Sequence, residues 1–125
     1  MEFKWKIVGK NSNSIYEDSF VDKNRKYFVA IKNIINFDEK YFPSYELISY
    51  YKKSHIYLNL SRIESFGITF IESLASGVPI VSFASKGANE LILNNKNGYL
   101  VNNYNINKIV DIFKKLRKKK LNLKN

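Results

Sequence analysis

Apolar residues fall along this chain in five short runs, separated by segments that are polar or that repeat with a helical period. The first run, FKWKIVG, alternates and then turns apolar before a glycine, and the others are rich in Val, Ile, Tyr and Phe, which favour strands. The predicted strands are residues 3–9, 27–31, 55–60, 79–83 and 99–101. The polar segment 10–26 is interpreted as a loop that can hold a short helix at 15–20, and residues 32–42 are left as a loop.

Two helices are predicted in the middle of the chain. The first follows Pro43, with Ser44 as its N-cap, an acidic Glu46 in its first turn, and two lysines at its end. The second begins after Gly67 and stops at a second glycine, and its apolar stripe predicts a buried face. The residues of that predicted face are Gly67, Phe70, Ile71, Leu74 and Ala75.

A third helix is predicted at the end of the chain, capped by Asn105 and fraying beyond Leu116. Its predicted apolar stripe comprises Ile106, Ile109, Val110, Phe113 and Leu116. The segment before the last strand is interpreted as non-helical: a loop at 85–90 containing Gly87, an apolar turn at 91–93 and a polar turn at 94–98.

The alternation of strands with helices predicts an α/β fold. Parallel strands need right-handed crossover connections, so the pattern indicates a mostly parallel sheet with helices on both faces. At 125 residues, with 45% hydrophobic residues, the chain has material for one domain with its own core. Ligands of such sheets lie beyond the carboxyl ends of the strands, and the loop that follows the third strand falls there.

The net charge of +10 is concentrated at the end of the chain. Residues 108–125 contain eight basic residues against one acidic, which leaves thirteen against ten in the rest. A solvated cationic helix end, contact with an anionic lipid surface or a partner, and nucleic-acid binding all remain open, although basic and aromatic residues do not interleave as in RNA-binding modules. The absence of cysteine excludes disulfides, thiolate metal sites and thiol nucleophiles, and the lone His55 favours a structural or surface role.

The segment ESFGIT, at the predicted start of the second helix, is the strongest candidate site. A helix start offers unpaired N–H groups and a partial positive charge, and Gly67 would let a diphosphate approach the backbone closely. Glu64 precedes this helix start, and Glu72 lies roughly 7 Å along the helix at 1.5 Å per residue. One ligand of nucleotide length could therefore contact both carboxylates, but two glutamates at this spacing are also common as ordinary loop and helix residues.

The string SRIESFGITFIESLASGVPIVSF resembles the signature of the retaining GT-B glycosyltransferases of family 4, also described as glycosyl transferases group 1. Its members carry a Glu, seven residues and a second Glu, with Phe-Gly after the first and Gly-x-Pro leading into an apolar strand. The matching residues are Ser61, Glu64, Phe66, Gly67, Glu72, Ala75, Gly77, Pro79 and Val81. Weaker similarity in WKIVG, in ELISYYKKSHIYLNLS, at Gly87 and Glu90 and in NGYLV extends the resemblance over residues 3–117.

The resemblance implies the C-terminal, donor-binding domain of such an enzyme, which is Rossmann-like, half of a GT-B fold, and here without its N-terminal part. Glu64 would contact the transferred sugar, backbone amides after it would hold the sugar and the diphosphate, and Glu72 would bind the ribose hydroxyls. The implied catalytic residue is Glu64, and the implied substrate-binding residues are Phe66, Gly67, Ile68, Thr69, Glu72 and Gly9. Such enzymes usually need no bound metal, so no metal or cofactor is expected besides the nucleotide-sugar substrate.

The departures from the family pattern define the remaining expectations. The acceptor-binding domain and the Arg and Lys that neutralise the diphosphate have no counterpart here, so the chain is expected not to be active alone and to need an acceptor domain in trans. Residues 1–117 are predicted as the incomplete donor domain and 118–125 as a basic disordered tail. The expected setting is glycan or cell-surface polysaccharide synthesis, in the cytoplasm or peripherally at the inner face of the membrane. The alternatives are a non-catalytic partner subunit or truncated remnant and, more weakly, a nucleic-acid binder.

Overall fold

The computed structural model describes residues 3–9, 12–31 and 43–122, with side chains up to residue 119. The predicted loop at 32–42 lies outside these residues. The chain divides into two compact units, Met1–Leu47 and Ile48–Asn125. Each unit contains a small parallel sheet and helices, which agrees with the α/β, Rossmann-like class that the sequence predicts.

The first unit is built on two parallel strands, β1 (Trp5–Val8) and β2 (Phe28–Ile31). The connection between them contains α1 (Ser19–Lys23) and two short 3-10 helices, Ser12–Glu17 and Arg25–Tyr27. The side chain of Asp18 caps α1 by accepting hydrogen bonds from two backbone amides. The short helix anticipated at 15–20 is therefore replaced by two separate turns of helix, on either side of this cap.

The second unit contains a three-stranded parallel sheet in the order β3 (Tyr57–Asn59), β4 (Ile80–Phe83), β5 (Gly98–Val101). Four helices belong to it wholly or in part: α2 (Tyr45–Lys52), which contains the boundary between units, α3 (Ile68–Ala75), α4 (Lys86–Leu91) and α5 (Ile106–Asn122). Every residue of the central strand β4 is buried, as expected for a strand covered on both faces.

Helices cover both faces of this sheet. Because side chains alternate along a strand, Val81 and Phe83 point to one face of β4 and pack with Ile109 and Ile112 of α5. Ile80 points to the opposite face, and its cluster with α3 and α4 comprises Phe70, Ile80, Ala88 and Ile92. The predicted arrangement of helices on both faces is thus confirmed for this unit.

The prediction of a non-helical segment at 85–93 is wrong, because residues 86–91 form α4. Ser85 is its N-cap, with the side-chain oxygen 3.2 Å from the amide nitrogen of Ala88. The helix has only six residues, and its buried contacts come mainly from Ala88 and Ile92, one turn apart. So short an amphipathic pattern gives no recognisable period in the sequence.

The predicted faces of the two longer helices also need correction. On α3, Ser73 is wholly buried whereas Ile71 is 41% exposed, because the Ser73 hydroxyl donates to the Val78 carbonyl at 2.9 Å and is satisfied inside the core. On α5, Ile112 is buried whereas the stripe's first residue, Ile106, and Val110 are exposed. The helix also does not end at Leu116 but continues to Asn122. The domain boundaries at 117 and 118 stay a prediction.

Candidate functional site

The carboxyl end of β3 leads directly into the predicted site. Asn59, the last residue of this strand, is buried, and its side-chain oxygen accepts a hydrogen bond from the Ser61 amide at 2.7 Å. This contact turns the chain away from the strand at its end, as Asx side chains commonly do. The segment that follows carries Glu64 and reaches the start of α3 at Gly67.

Gly67 makes the start of α3 possible. It is the N-cap of the helix in the left-handed conformation, with φ of 75° and ψ of 64°, which an L side chain rarely adopts. A Cβ atom here would lie 2.5 Å from Cδ2 of Phe70, the fully buried residue below it. Within the described part of the chain, the N–H groups of residues 66–69 donate to no other protein atom. The helix therefore presents a group of unpaired donors at its positive end.

The short helix α4 holds the segment between Glu64 and Gly67 in place. The Gly87 amide donates to the Glu64 carbonyl, with nitrogen and oxygen 2.9 Å apart. A Cβ atom on Gly87 would lie 3.1 Å from that carbonyl oxygen and 3.1 Å from the carbonyl oxygen of Phe66. Glycine at this position of α4 thus allows the close approach, and the backbone of the site packs against a helix that the sequence did not reveal.

Two tyrosines contact the polar face of α3. The Tyr51 hydroxyl donates to Oε2 of Glu72 at 2.8 Å, and the Tyr57 hydroxyl donates to Oγ1 of Thr69 at 2.9 Å. The two rings pack edge to face with centroids 5.9 Å apart, and Tyr57 packs in the same manner on Phe70, 6.2 Å away. The tyrosines therefore link α2 and β3 to the first two turns of α3.

The nearby carboxylates of Glu64 and Glu72 affect the pKa values of the two tyrosines. Burial raises the pKa of Tyr57, and the negative charges of Glu64 and Glu72 act in the same direction. Burial also raises the pKa of Tyr51, helped by its hydrogen bond to the Glu72 carboxylate. A phenol is protonated at neutral pH in any case, and the upward shifts keep both hydroxyls protonated to higher pH, next to two carboxylates.

Six of the seven predicted site residues lie around this start of α3. Glu64 and Glu72 are half-buried, Gly67 is buried, and Phe66, Ile68 and Thr69 are exposed. Gly9 belongs to the first unit, where its amide donates to the Ile31 carbonyl at 3.1 Å, and its assignment to the donor site stays a prediction.

Sequence reasoning missed Tyr51, Tyr57 and the role of Gly87 in the site. Tyr51 lies in the predicted helix after Pro43 and Tyr57 in the predicted strand 55–60, and the pattern assigns neither a role in the site, although a tyrosine buried in such an element usually brings its hydroxyl to a polar partner. A further residue that was missed is Arg62, whose guanidinium lies 4.8 Å from the ring centroid of Tyr104. That ring in turn packs edge to face on Phe83 at the end of β4. Arg62 thus places a cation two residues before Glu64.

The described residues form neither a metal-binding cluster nor a membrane-spanning helix. Across the described ranges, no three His, Asp or Glu side chains come close enough together to hold a metal ion. No helix among residues 3–9, 12–31 and 43–122 is long and apolar enough to cross a membrane. A depression of about 220 Å³ lies beside α5 and contains Lys108, Asp111 and Lys115, but none of the predicted site residues lines it.

Comparison with known proteins identifies the family. Residues 40–125 match the family model described as "Glycosyl transferases group 1", which is well over half of the chain. This chain therefore belongs to the group 1 glycosyltransferases, a family of enzymes. The matched range contains the whole second unit and every predicted site residue except Gly9.

Several curated proteins are similar to this chain. A poly(ribitol-phosphate) alpha-N-acetylglucosaminyltransferase of Staphylococcus aureus is 33% identical over 91 residues, covering 72% of this chain and 17% of that protein. An uncharacterized glycosyltransferase of Haemophilus influenzae is 31% identical over 110 residues, covering 87% and 29%. The GtfA subunit of a UDP-N-acetylglucosamine–peptide N-acetylglucosaminyltransferase of Streptococcus agalactiae is 31% identical over 97 residues, covering 77% and 19%. The chain thus spans less than a third of the length of each of these relatives.

Proposed function

We propose that the second unit is the donor-binding, C-terminal domain of a retaining GT-B glycosyltransferase of family 4, and that it binds a nucleotide-diphospho-sugar. The observation that carries this proposal is the start of α3. There, the unpaired N–H groups of residues 66–69 lie between two half-buried carboxylates, Glu64 and Glu72. An anionic diphosphate fits the donors, and sugar hydroxyls fit the carboxylates on either side.

In this proposal each group has a separate task. The N–H groups at the start of α3 hold the diphosphate, Glu72 accepts hydrogen bonds from the ribose hydroxyls, and Glu64 contacts the sugar near its reacting carbon. Transfer is then promoted electrostatically, because the helix start stabilises the leaving diphosphate while the Glu64 carboxylate stabilises positive charge that develops on the sugar. These tasks require no metal ion or other cofactor.

We propose further that the chain does not transfer sugar alone. The curated relatives are several times longer than the stretch they share with it, so an acceptor-binding half, in trans or in the same longer chain, would complete the transfer reaction. Two relatives bear names that concern polymer or peptide glycosylation, which supports a role in glycan or cell-surface polysaccharide synthesis. A non-catalytic partner subunit is the competing function, and it predicts loss of donor affinity.

The outer side of α5 supports contact with an anionic membrane surface. Lys114, Arg117 and Lys118 are exposed there, on the same side as the exposed apolar residues Ile106 and Val110. Each cation near an anionic bilayer contributes on the order of 1 kcal/mol. Co-sedimentation with vesicles containing phosphatidylserine, and not with neutral vesicles, would support this contact. Equal sedimentation with both, or with neither, would contradict it.

Calorimetric titration with UDP-, GDP- and ADP-sugars tests donor binding directly. The unmodified chain should bind at least one of these donors, and Glu72→Ala should weaken that binding by about tenfold or more, because a hydrogen bond to a charged group contributes about 1.5–3 kcal/mol. Glu46→Ala is the matched control, since Glu46 lies in the first turn of α2 and has no part in the proposed site. Absence of binding at millimolar donor by a folded sample would contradict the proposal and favour the non-catalytic alternative.

A further inference from the structure

Tyr51 is the only described residue whose side chain donates a hydrogen bond to the Glu72 carboxylate. The bond joins residues 21 positions apart, from the last turn of α2 to the second turn of α3. The other carboxylate oxygen, Oε1, accepts no hydrogen bond from the residues that the structure describes. One oxygen of Glu72 is therefore held by the protein, and the other is available to a ligand.

The hydroxyl that holds Glu72 is itself held firmly. The Tyr51 ring packs edge to face on Tyr57, and the Tyr57 ring packs on the fully buried Phe70. Tyr57 also donates to Thr69, three residues before Glu72 and on the same side of α3. The direction from which Tyr51 reaches the carboxylate is thus set by a chain of rings that ends in the core.

A glutamate without such a partner samples several rotamers, and binding a ligand would have to stop that motion. Fixing one side chain of this kind weakens binding by roughly 2- to 10-fold. A carboxylate that the protein has already oriented avoids much of this cost. The vicinal hydroxyls of a ribose are the matching ligand group, because Oε1, together with the lone pair of Oε2 that Tyr51 leaves free, can accept from two neighbouring O–H donors.

We propose that Tyr51 is a positioning residue of the donor site, which holds Glu72 in the orientation that binds the 2′- and 3′-hydroxyls of the donor's ribose. This inference rests on the proposed function, since it assumes that Glu72 contacts the ribose. The pKa of Tyr51 is raised, first by burial and then by its bond to Glu72, which agrees with a hydroxyl that stays protonated, and therefore a donor, at and above neutral pH. Tyr57 supports the ring of Tyr51 but does not contact the carboxylate.

The test compares a nucleoside diphosphate with its 2′,3′-dideoxy form, using the base that binds best in the titrations. Tyr51→Phe keeps the ring and removes only the hydroxyl, so affinity for the ribonucleotide should fall by about 3- to 10-fold. Affinity for the dideoxynucleotide should not change. Tyr57→Phe, the matched control from the same pair of rings, should leave the ratio of the two affinities as it is in the unmodified chain. In a Glu72→Ala background, Tyr51→Phe should have no further effect on this ratio.

The possible failures are distinguishable. If the unmodified chain binds no nucleotide, the proposed function is wrong and the inference falls with it. If it binds but Tyr51→Phe weakens both ligands equally, Tyr51 has a general structural role and the positioning role is refuted. A Tyr51→Phe variant that binds both ligands as the unmodified chain does would also refute it, while leaving the proposed function intact.

Discussion

Replacing Gly67 with alanine should destabilise the second unit, for two reasons that can be separated experimentally. The first is conformational, because φ is 75° at this residue and a left-handed backbone costs a non-glycine residue about 1–2 kcal/mol. The second is steric, because the new Cβ would lie 2.5 Å from Cδ2 of Phe70. Phe70 has 0% exposure and is packed between helix and sheet, so relieving the overlap requires moving the core, at about 1–3 kcal/mol. The expected total is about 2–5 kcal/mol.

Gly77→Ala provides the matched control for this substitution. Gly77 has the same φ of 75°, but an added Cβ would meet nothing within 4 Å. Only the conformational cost of about 1–2 kcal/mol is expected there. Both substitutions also reduce the freedom of the unfolded chain to a similar degree, so this contribution cancels when they are compared.

The assay is urea unfolding followed by far-ultraviolet circular dichroism, which reports mainly on the helices of the second unit. The free energy of unfolding should be lower for Gly67→Ala than for Gly77→Ala by about 1–3 kcal/mol, the cost of the overlap with Phe70. If the two variants lose the same free energy, the Phe70 ring yields without cost. The argument that Gly67 and Phe70 together fix the start of α3 would then be wrong.

Two further predictions concern the rest of the site. Gly87→Ala should change the free energy of unfolding by no more than about 1 kcal/mol, because the better helix propensity of alanine offsets the 3.1 Å contacts. It should nevertheless weaken donor binding and speed hydrogen exchange of the amide of residue 87, which in the unmodified protein donates to the Glu64 carbonyl. An unchanged exchange rate would contradict this prediction. Because their pKa values are raised, Tyr51 and Tyr57 keep their protons to higher pH in the folded than in the unfolded chain, where phenols ionise near pH 10. The stability that these phenols contribute should therefore be fully present below about pH 10 and fall above it. In urea unfolding at pH 9 and pH 11, the free energy of unfolding should fall less in Tyr51→Phe than in the unmodified chain. An equal fall in both would refute the raised pKa of Tyr51 as a cause of the loss.

Much of the second unit could be predicted because the signals are local. Ser44 is the expected cap of α2, with its hydroxyl 3.2 Å from the Leu47 amide, and Gly67 begins α3 as predicted. Gly77 follows the end of α3, where its amide donates to the Leu74 carbonyl at 3.0 Å. These features depend on residues within a few positions of one another, and a sequence shows such neighbours directly.

The errors arose where burial depends on a distant partner. The predicted buried face of α3 omits Ser73 because this residue is polar, yet its hydroxyl is satisfied by the Val78 carbonyl inside the core. Ile112 was left out of the predicted stripe of α5, although it packs against the sheet with Ile109. Periodicity indicates that a helix is amphipathic, but the neighbouring elements determine the centre of the buried face.

The sequence by itself determined the α/β class, the strand–helix–strand unit around ESFGIT, and the presence of two glutamates at the start and on the second turn of one helix. Only the tertiary structure decided what surrounds them: Tyr51 on Glu72, Tyr57 on Thr69, and Gly87 against the Glu64 carbonyl. The physical reason is the range of each interaction. Caps and helical periods act over a few residues, whereas these contacts join residues 12 to 23 positions apart and exist only once parallel strands have brought their ends to one edge of the sheet.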